Sequence, residues 1–256
     1  MKVVEVFKSI QGEGVYTGVP VVFVRMGGCN LACEWCDTKY SWGDEFIEYG
    51  VDELVAEIEA CADGCKTICF TGGEPMLQQD ELEGVAMLLH VKEYTLHVET
   101  NGTIPPERIM SRCIDFWSVS PKMQYTPPNT IVKFLKKFTN QAQLKFVVSS
   151  EQDTQGIMKY VDALSEISYE GKKCPYVVVV QPERYAATRI FTPDSGISKE
   201  DEEYYKNQGC SIASTKQIYL QHMEDVINWC EKHLDNCNWR VLPQLHYLIW
   251  GDRKGI

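Results

Sequence analysis

The chain is short of positive charge. Its 256 residues carry 25 Lys and Arg against 36 Asp and Glu, a formal net charge of −11. A nucleic-acid groove is therefore not expected as the main binding surface, because a phosphate backbone asks for a basic face. A small anionic ligand held by one or two cations stays compatible with this charge. Long apolar runs are also lacking in the sequence, so no membrane span is expected. The start, Met1-Lys2-Val3-Val4-Glu5, has no apolar signal-peptide region. Eleven cysteines without an export signal point to reduced thiols or metal ligands, and so to a reducing cytoplasm. The sequence has no internal repeat and no low-complexity tract. Its Gln11-Gly12-Glu13-Gly14 run lacks the Gly-x-x-x-x-Gly-Lys-Ser/Thr frame of a nucleotide P-loop.

The most informative absence is a fourth cysteine. Cys29, Cys33 and Cys36 stand in a C-x3-C-x2-C run, and the next cysteine is Cys61. Three thiolates can hold three irons of a 4Fe–4S cube and leave the fourth iron open for a ligand. A structural zinc site would want four ligands. On spacing alone, an open cluster, a zinc site and plain buried thiols all remain readings of the triplet. Cys61, Cys65 and Cys69 invite a second-cluster reading, but small buried hydrophobes at a helix end, a turn and a strand explain them better.

Apolar residues make up 44% of the chain and charged residues 24%, which suits a soluble globular protein with a sizeable core. Short apolar runs alternate with helical patterns, the signature of a parallel α/β sheet. Strands are expected at Pro20–Met26, Thr67–Thr71, Thr95–Glu99, Ile114–Val119, Gln143–Val148 and Tyr176–Val180. Helices are expected at Val51–Ala62, Glu81–Val91, Thr154–Ser168 and Gln217–Leu234, and a strand or extended segment at Arg240–Trp250. Six βα-like units are too few for a closed eight-stranded barrel. The expected fold is an incomplete, splayed (β/α)6 barrel with a C-terminal extension. One domain spans 1–256, with an irregular insertion at about Glu183 to Thr215.

The polar motifs follow strand ends, where the βα loops of such folds gather catalytic groups. Gly72-Gly73-Glu74-Pro75 allows close backbone approach and offers a carboxylate to an ammonium group; an ordinary turn is the alternative. Glu99-Thr100-Asn101-Gly102 and Ser120-Pro121-Lys122 share that ambiguity. Lys145 lies inside an apolar strand, facing either a polar cavity or a sheet edge. Arg25 is a similar cation and can hold a carboxylate bidentately. His246 is a lone histidine, structural by default.

Taken together, these motifs resemble the radical S-adenosylmethionine (SAM) superfamily and, within it, the 7-carboxy-7-deazaguanine synthase family. The matching runs are Ser9-Ile10-Gln11-Gly12-Glu13-Gly14, Phe23-Val24-Arg25, Cys36-Asp37-Thr38, Cys69 to Pro75, Glu99 to Gly102, Ser120 to Lys122 and Arg240 to His246. The resemblance implies rearrangement of 6-carboxy-5,6,7,8-tetrahydropterin to 7-carboxy-7-deazaguanine with loss of ammonia, a step toward queuosine and other 7-deazapurines. Cys29, Cys33 and Cys36 would ligate the cluster. SAM would bind the open iron, be cleaved to a 5′-deoxyadenosyl radical, and be regenerated as hydrogen returns. Ile10, Gln11, Gly12, Glu13, Arg25 and Thr71 would lie at the substrate, with Gln244 and His246 near it. Gly72, Gly73, Glu74, Glu99, Asn101, Ser120, Pro121, Lys122, Lys145 and Gln181 would serve the cofactor, and Thr38 would bind Mg²⁺. A reductant such as flavodoxin and a homodimer are implied in the same way. The competing readings are another radical SAM enzyme, such as a glycyl-radical activase, and a non-enzymatic metal-binding interaction module.

Overall fold

In a computed structural model, residues 1–137, 141–165, 176–182, 212–234 and 239–250 are described. Among the described residues nine strands form one sheet, in the order β3-β1-β2-β4-β5-β6-β7-β8-β9. β1 (Lys2–Ile10) lies antiparallel to β2 (Pro20–Met26) and to the short β3 (Ile47–Glu48). From β2 onward every neighbouring pair is parallel: β4 (Thr67–Gly72), β5 (Thr95–Thr100), β6 (Phe116–Val119), β7 (Gln141–Val148), β8 (Tyr176–Pro182) and β9 (Trp239–Val241). β2 and β4 to β8 are the six strands expected from the sequence. β3 and β9 are the edges, so the sheet is not closed.

The six strands are buried on both faces for different reasons. Side chains alternate, so one face of each strand carries Val22, Val24, Ile68, Phe70, Leu96, Val98, Trp117, Val119, Leu144, Phe146, Val178 and Val180. That face packs on the helices. α1 (Val51–Ala62) contributes Leu54, Val55 and Ile58; α2 (Gln79–Val91) contributes Leu82, Val85 and Leu89. α3 (Met110–Cys113) and α4 (Pro128–Leu135) continue the layer, followed by α5 (Glu151–Ser165) and α6 (Ile212–His233). The other face carries a small apolar cluster, Val21, Phe23 and Cys69 with Phe7 against it, and above it a set of buried polar groups. Helices on one face and polar groups on the other mark a partial barrel, in contrast to a sheet wound on both sides.

Local chemistry sets the helix ends. Glu53 accepts from the Gly50 N–H at 2.8 Å, which closes the first turn of α1. α1 stops at Asp63, whose φ of 43° is left-handed. α5 begins at Glu151, earlier than Thr154, because Asp153 accepts from the Ser149 and Ser150 N–H groups at 2.9 and 3.0 Å while Ser150 Oγ accepts from the Asp153 N–H. Two expectations need correction. Residues 240–250 are not one extended segment: β9 ends at Val241, and Leu245–Trp250 forms α7. β1 precedes the first expected strand. Most of the expected insertion at 183–215 lies outside the described residues; residues 212–215 open α6.

Candidate active site

The loop after β2 carries the three cysteines and is pinned by backbone. The Gly28 N–H donates to Ser41 O at 2.7 Å, and the Glu74 N–H donates to Gly28 O at 2.8 Å. Gly73 sits so close that a Cβ there would lie 1.8 Å from Gly28 O and 3.2 Å from the Cys29 Cβ. The Gly-Gly-Glu turn thus forms a wall of the cysteine loop, and only glycine permits the approach. Cys33 is buried, while Cys29 and Cys36 are partly exposed. The Leu31 N–H faces Cys29 Sγ at 3.5 Å and the Thr38 N–H faces Cys36 Sγ at 3.4 Å. Burial pushes all three thiols up, and the Lys122 ammonium pulls each of them back down.

Strand ends are laced to this loop. Glu74 is fully buried; its carboxylate accepts from Thr100 Oγ1 at 2.7 Å, the Asn101 N–H at 2.7 Å and the Met76 N–H at 3.1 Å. Burial raises its pKa against the pull of those donors. Asn101 Nδ2 donates to Asn30 Oδ1 at 2.9 Å, reaching from the end of β5 into the cysteine loop. Lys122 Nζ donates to Ser120 Oγ at 2.9 Å.

Inside the sheet lies a polar chamber. Glu99 accepts from Gln11 Nε2 at 3.1 Å and Thr71 Oγ1 at 2.9 Å. Glu13 pairs with Lys145 and accepts from Gln244 Nε2 at 2.5 Å. Burial alone would raise Glu13, but Lys145 and the histidine at 246 outweigh it and hold the carboxyl far below its usual range. Burial likewise lowers Lys145, and Glu13 overcomes it, so the amine stays charged. Lys145 reaches the cavity-lining Glu13 from an interior strand and guards no sheet edge. Gly12 is covered by His246: a Cβ there would lie 2.1 Å from Nδ1, and the Leu245 N–H donates to Gly12 O at 2.8 Å. Residues far apart in the chain, Gly12 and Leu245-His246, therefore meet beside the chamber. Its floor is Tyr16, His97 and Phe116, with ring centroids 4.6 to 5.3 Å apart.

The radical SAM superfamily profile matches residues 23–115. The 7-carboxy-7-deazaguanine synthase of Thermoplasma acidophilum is 36% identical, with 100% of both chains covered. The chain belongs to the 7-carboxy-7-deazaguanine synthase family. The synthase of Pyrobaculum aerophilum is 39% identical over 64% of this chain and 73% of its own. In fold, the chain is similar to the crystal structure of QueE from Escherichia coli, with a TM-score of 0.63, 22% identity, and 96% and 94% of the two chains covered.

Membership of the radical SAM superfamily implies a 4Fe–4S cluster and SAM. The cysteine loop of this 7-carboxy-7-deazaguanine synthase family member fits a cluster. The thiols are close enough to feel one another in series, Cys29 with Cys33 and Cys33 with Cys36. Yet among the described residues no three His, Cys, Asp or Glu side chains close on a single metal ion. Three thiols in one loop, with no fourth ligand beside them among the described residues, match the three-thiolate ligation of an open cube, where a structural zinc site wants four.

Several site residues carried no signal in the sequence reading. Gln143 donates to Ser118 Oγ at 2.7 Å and accepts from the Val15 N–H at 2.9 Å. Glu5 accepts from Arg25 Nε at 2.6 Å and from the Tyr40 hydroxyl at 2.9 Å. The alternation Gln141, Gln143, Lys145 in β7 was the available clue to Gln143. Thr38 is partly exposed, with its hydroxyl on Asp37 Oδ1 at 2.7 Å. Pro121 is buried behind Ser120, and Ile10 is half-buried at the end of β1. Gln181 lies at the end of β8, in register with Val147; its side chain lies outside the described residues.

Proposed function

We propose that the chain converts 6-carboxy-5,6,7,8-tetrahydropterin to 7-carboxy-7-deazaguanine and ammonia, on the route to queuosine and other 7-deazapurines. The supporting observation is a cavity lined by Gln11, Glu13, Glu99, Ser118 and Gln143, with Thr71 and Lys145 bonded to its two carboxylates and Asp37, next to Cys36, within electrostatic reach of Lys145. Charged and amide groups around an enclosed space suit a small polar molecule.

When bound, the cluster and SAM supply a 5′-deoxyadenosyl radical that takes hydrogen from the substrate. The chain's own residues bind and orient. Glu99 and Lys145, expected at the cofactor from the sequence, bond to Gln11, Thr71 and Glu13 and are assigned here to the substrate side. Glu13 and Glu99 offer carboxylate oxygens to the donors of an aminopyrimidine edge, with Gln11 and Gln244 beside them. Thr71 fixes Glu99. Lys145 balances the charge of Glu13, so that carboxylate stays ionised in a buried place. Arg25 takes the substrate's carboxylate. Gly12 and Ile10 line the approach, and His246 covers it.

Gly72, Gly73, Glu74, Asn101, Ser120, Pro121, Lys122 and Gln181 shape the SAM side. Glu74 serves there through the turns it ties together, since its carboxylate already accepts three protein hydrogen bonds. Thr38 supplies a hydroxyl to Mg²⁺, an ion that accepts sparse protein oxygen ligation. One domain over 1–256, a cytoplasmic setting, a flavodoxin-type reductant and a homodimer complete the reading. Among the described residues no helix is long and apolar enough to cross a membrane.

The test is anaerobic reconstitution, then incubation with SAM, dithionite, Mg²⁺ and the pterin. Ammonia release together with a deazapurine chromophore supports the reading. A fully loaded protein that cleaves SAM but leaves the pterin unchanged overturns it.

A further inference from the structure

Arg25 has unused donors in a confined place. Its side chain is 15% exposed, and its one hydrogen bond among the described residues runs from Nε to Glu5 Oε1 at 2.6 Å. A guanidinium has five N–H donors, so the four on the terminal nitrogens are open to a ligand. Its plane is held on several sides. Glu5 stands directly opposite Arg25 in the β1–β2 ladder. The Phe7 and Tyr40 rings each lie 5.6 Å from its central carbon. The Tyr40 hydroxyl donates at 2.9 Å to the same Glu5 oxygen that receives Arg25 Nε. Tyr40 belongs to the 3-10 turn Lys39–Trp42, which follows the last cysteine of the triplet within the same loop.

We propose that Glu5 and Tyr40 are positioning residues: they fix the edge and plane of the Arg25 guanidinium so that its terminal nitrogens meet the substrate's carboxylate side by side. This rests on the reading that Arg25 receives that carboxylate. Glu5 takes the Nε edge and so removes the alternative in which Arg25 presents Nε with one terminal nitrogen. Tyr40 holds the Glu5 oxygen in place and lies against the guanidinium. A bidentate contact depends on such orientation, because both N–H vectors must meet both oxygens. The arrangement also carries order from the cysteine loop into the substrate pocket through Tyr40.

The measurement is calorimetric binding to reconstituted protein of two ligands: the carboxytetrahydropterin and the same tetrahydropterin without its carboxylate. The wild type is expected to prefer the carboxylated ligand. Glu5→Ala is expected to lose about tenfold of that preference, the scale of one hydrogen bond to a charged group, with affinity for the other ligand unchanged. Glu5→Gln keeps an acceptor for Nε and is expected to retain most of the preference. Tyr40→Phe keeps the ring, drops the hydroxyl, and is expected to lose a few-fold; it decides the matter if Glu5→Ala does not fold.

If Glu5 only competes for Arg25 as a counter-charge, Glu5→Ala and Glu5→Gln both strengthen carboxylate binding, and the proposal fails. Equal weakening of both ligands also overturns it, since that marks a merely structural role. If Arg25→Gln binds the two ligands as the wild type does, the assignment of Arg25 to the carboxylate fails first, separately from the positioning claim.

Discussion

Gly73→Ala puts a methyl group where the cysteine loop already is. The added Cβ would lie 1.8 Å from Gly28 O and 2.5 Å from Gly28 C, both backbone atoms. Carbon contacts in folded proteins sit near 3.5 to 4.0 Å, so the loop or the turn must move by roughly 1 Å or more. The moving part includes Cys29, whose own Cβ would be 3.2 Å away. Metal–thiolate bonds tolerate displacements of only about 0.2 Å. Overpacking of this kind costs about 1–3 kcal/mol, which this fold can survive while its cluster site does not. The matched control is Gly84→Ala in α2, where the methyl would meet only Val51 side-chain atoms at 3.1 and 3.3 Å. Iron and sulfide content after anaerobic reconstitution is the assay, with a thermal melt alongside. Gly84→Ala is expected to load as the wild type, and Gly73→Ala to load poorly. Full cluster content in Gly73→Ala would refute the claim that the Gly-Gly-Glu turn shapes the cysteine loop.

Three further outcomes are expected. Lys145→Met leaves Glu13 buried without its cation and should destabilise the fold by about 3–5 kcal/mol in urea titration; adding Glu13→Gln should recover much of it. Additive losses would show the pair to be uncoupled. His97 is held to about 4 by burial, with Asp115 and Glu99 offsetting only part of that effect. The unfolded chain, with a histidine near 6.5, then takes a proton that the fold refuses, so stability is full above that pH and falls toward 4. By pH 5 this group should cost about 2 kcal/mol, and His97→Gln should show that much less loss between pH 7 and 5. Glu74→Gln keeps an amide oxygen for the Thr100 hydroxyl and the Met76 N–H but turns its NH2 toward the Asn101 N–H, so a loss of about 1–3 kcal/mol in the same titration is expected, and an unchanged midpoint would contradict the tie described for it.

Much of the fold was legible because the six parallel strands are short apolar runs that end in polar motifs. Thr67 to Thr71 and Thr95 to Glu99 show this plainly: burial on both faces leaves little alternation to misread. β1 was not legible because Lys2, Glu5 and Lys8 interrupt it, and its value lies in what it faces. α7 was missed because Leu-His-Tyr-Leu-Ile-Trp is too short and too uniformly apolar for periodicity to separate helix from strand. In the site, each cysteine and strand-end motif announced itself by type and spacing. The pairings did not. Glu13 meets Lys145 across 132 residues and Gln244 across 231, and Glu5 meets Tyr40 across 35. Only the folded order of the strands and of the loops that follow them brings such partners together. Lys145 looked equally like edge protection until its strand was placed inside the sheet, between β6 and β8.

The most direct test of the account is the mass of the product from reconstituted enzyme given SAM, reductant, Mg²⁺ and 6-carboxytetrahydropterin. The account predicts a species lighter than the substrate by one ammonia, with the carboxylate retained and SAM recovered. Recovery of unchanged pterin beside accumulating 5′-deoxyadenosine, from protein with a full cluster, would contradict it.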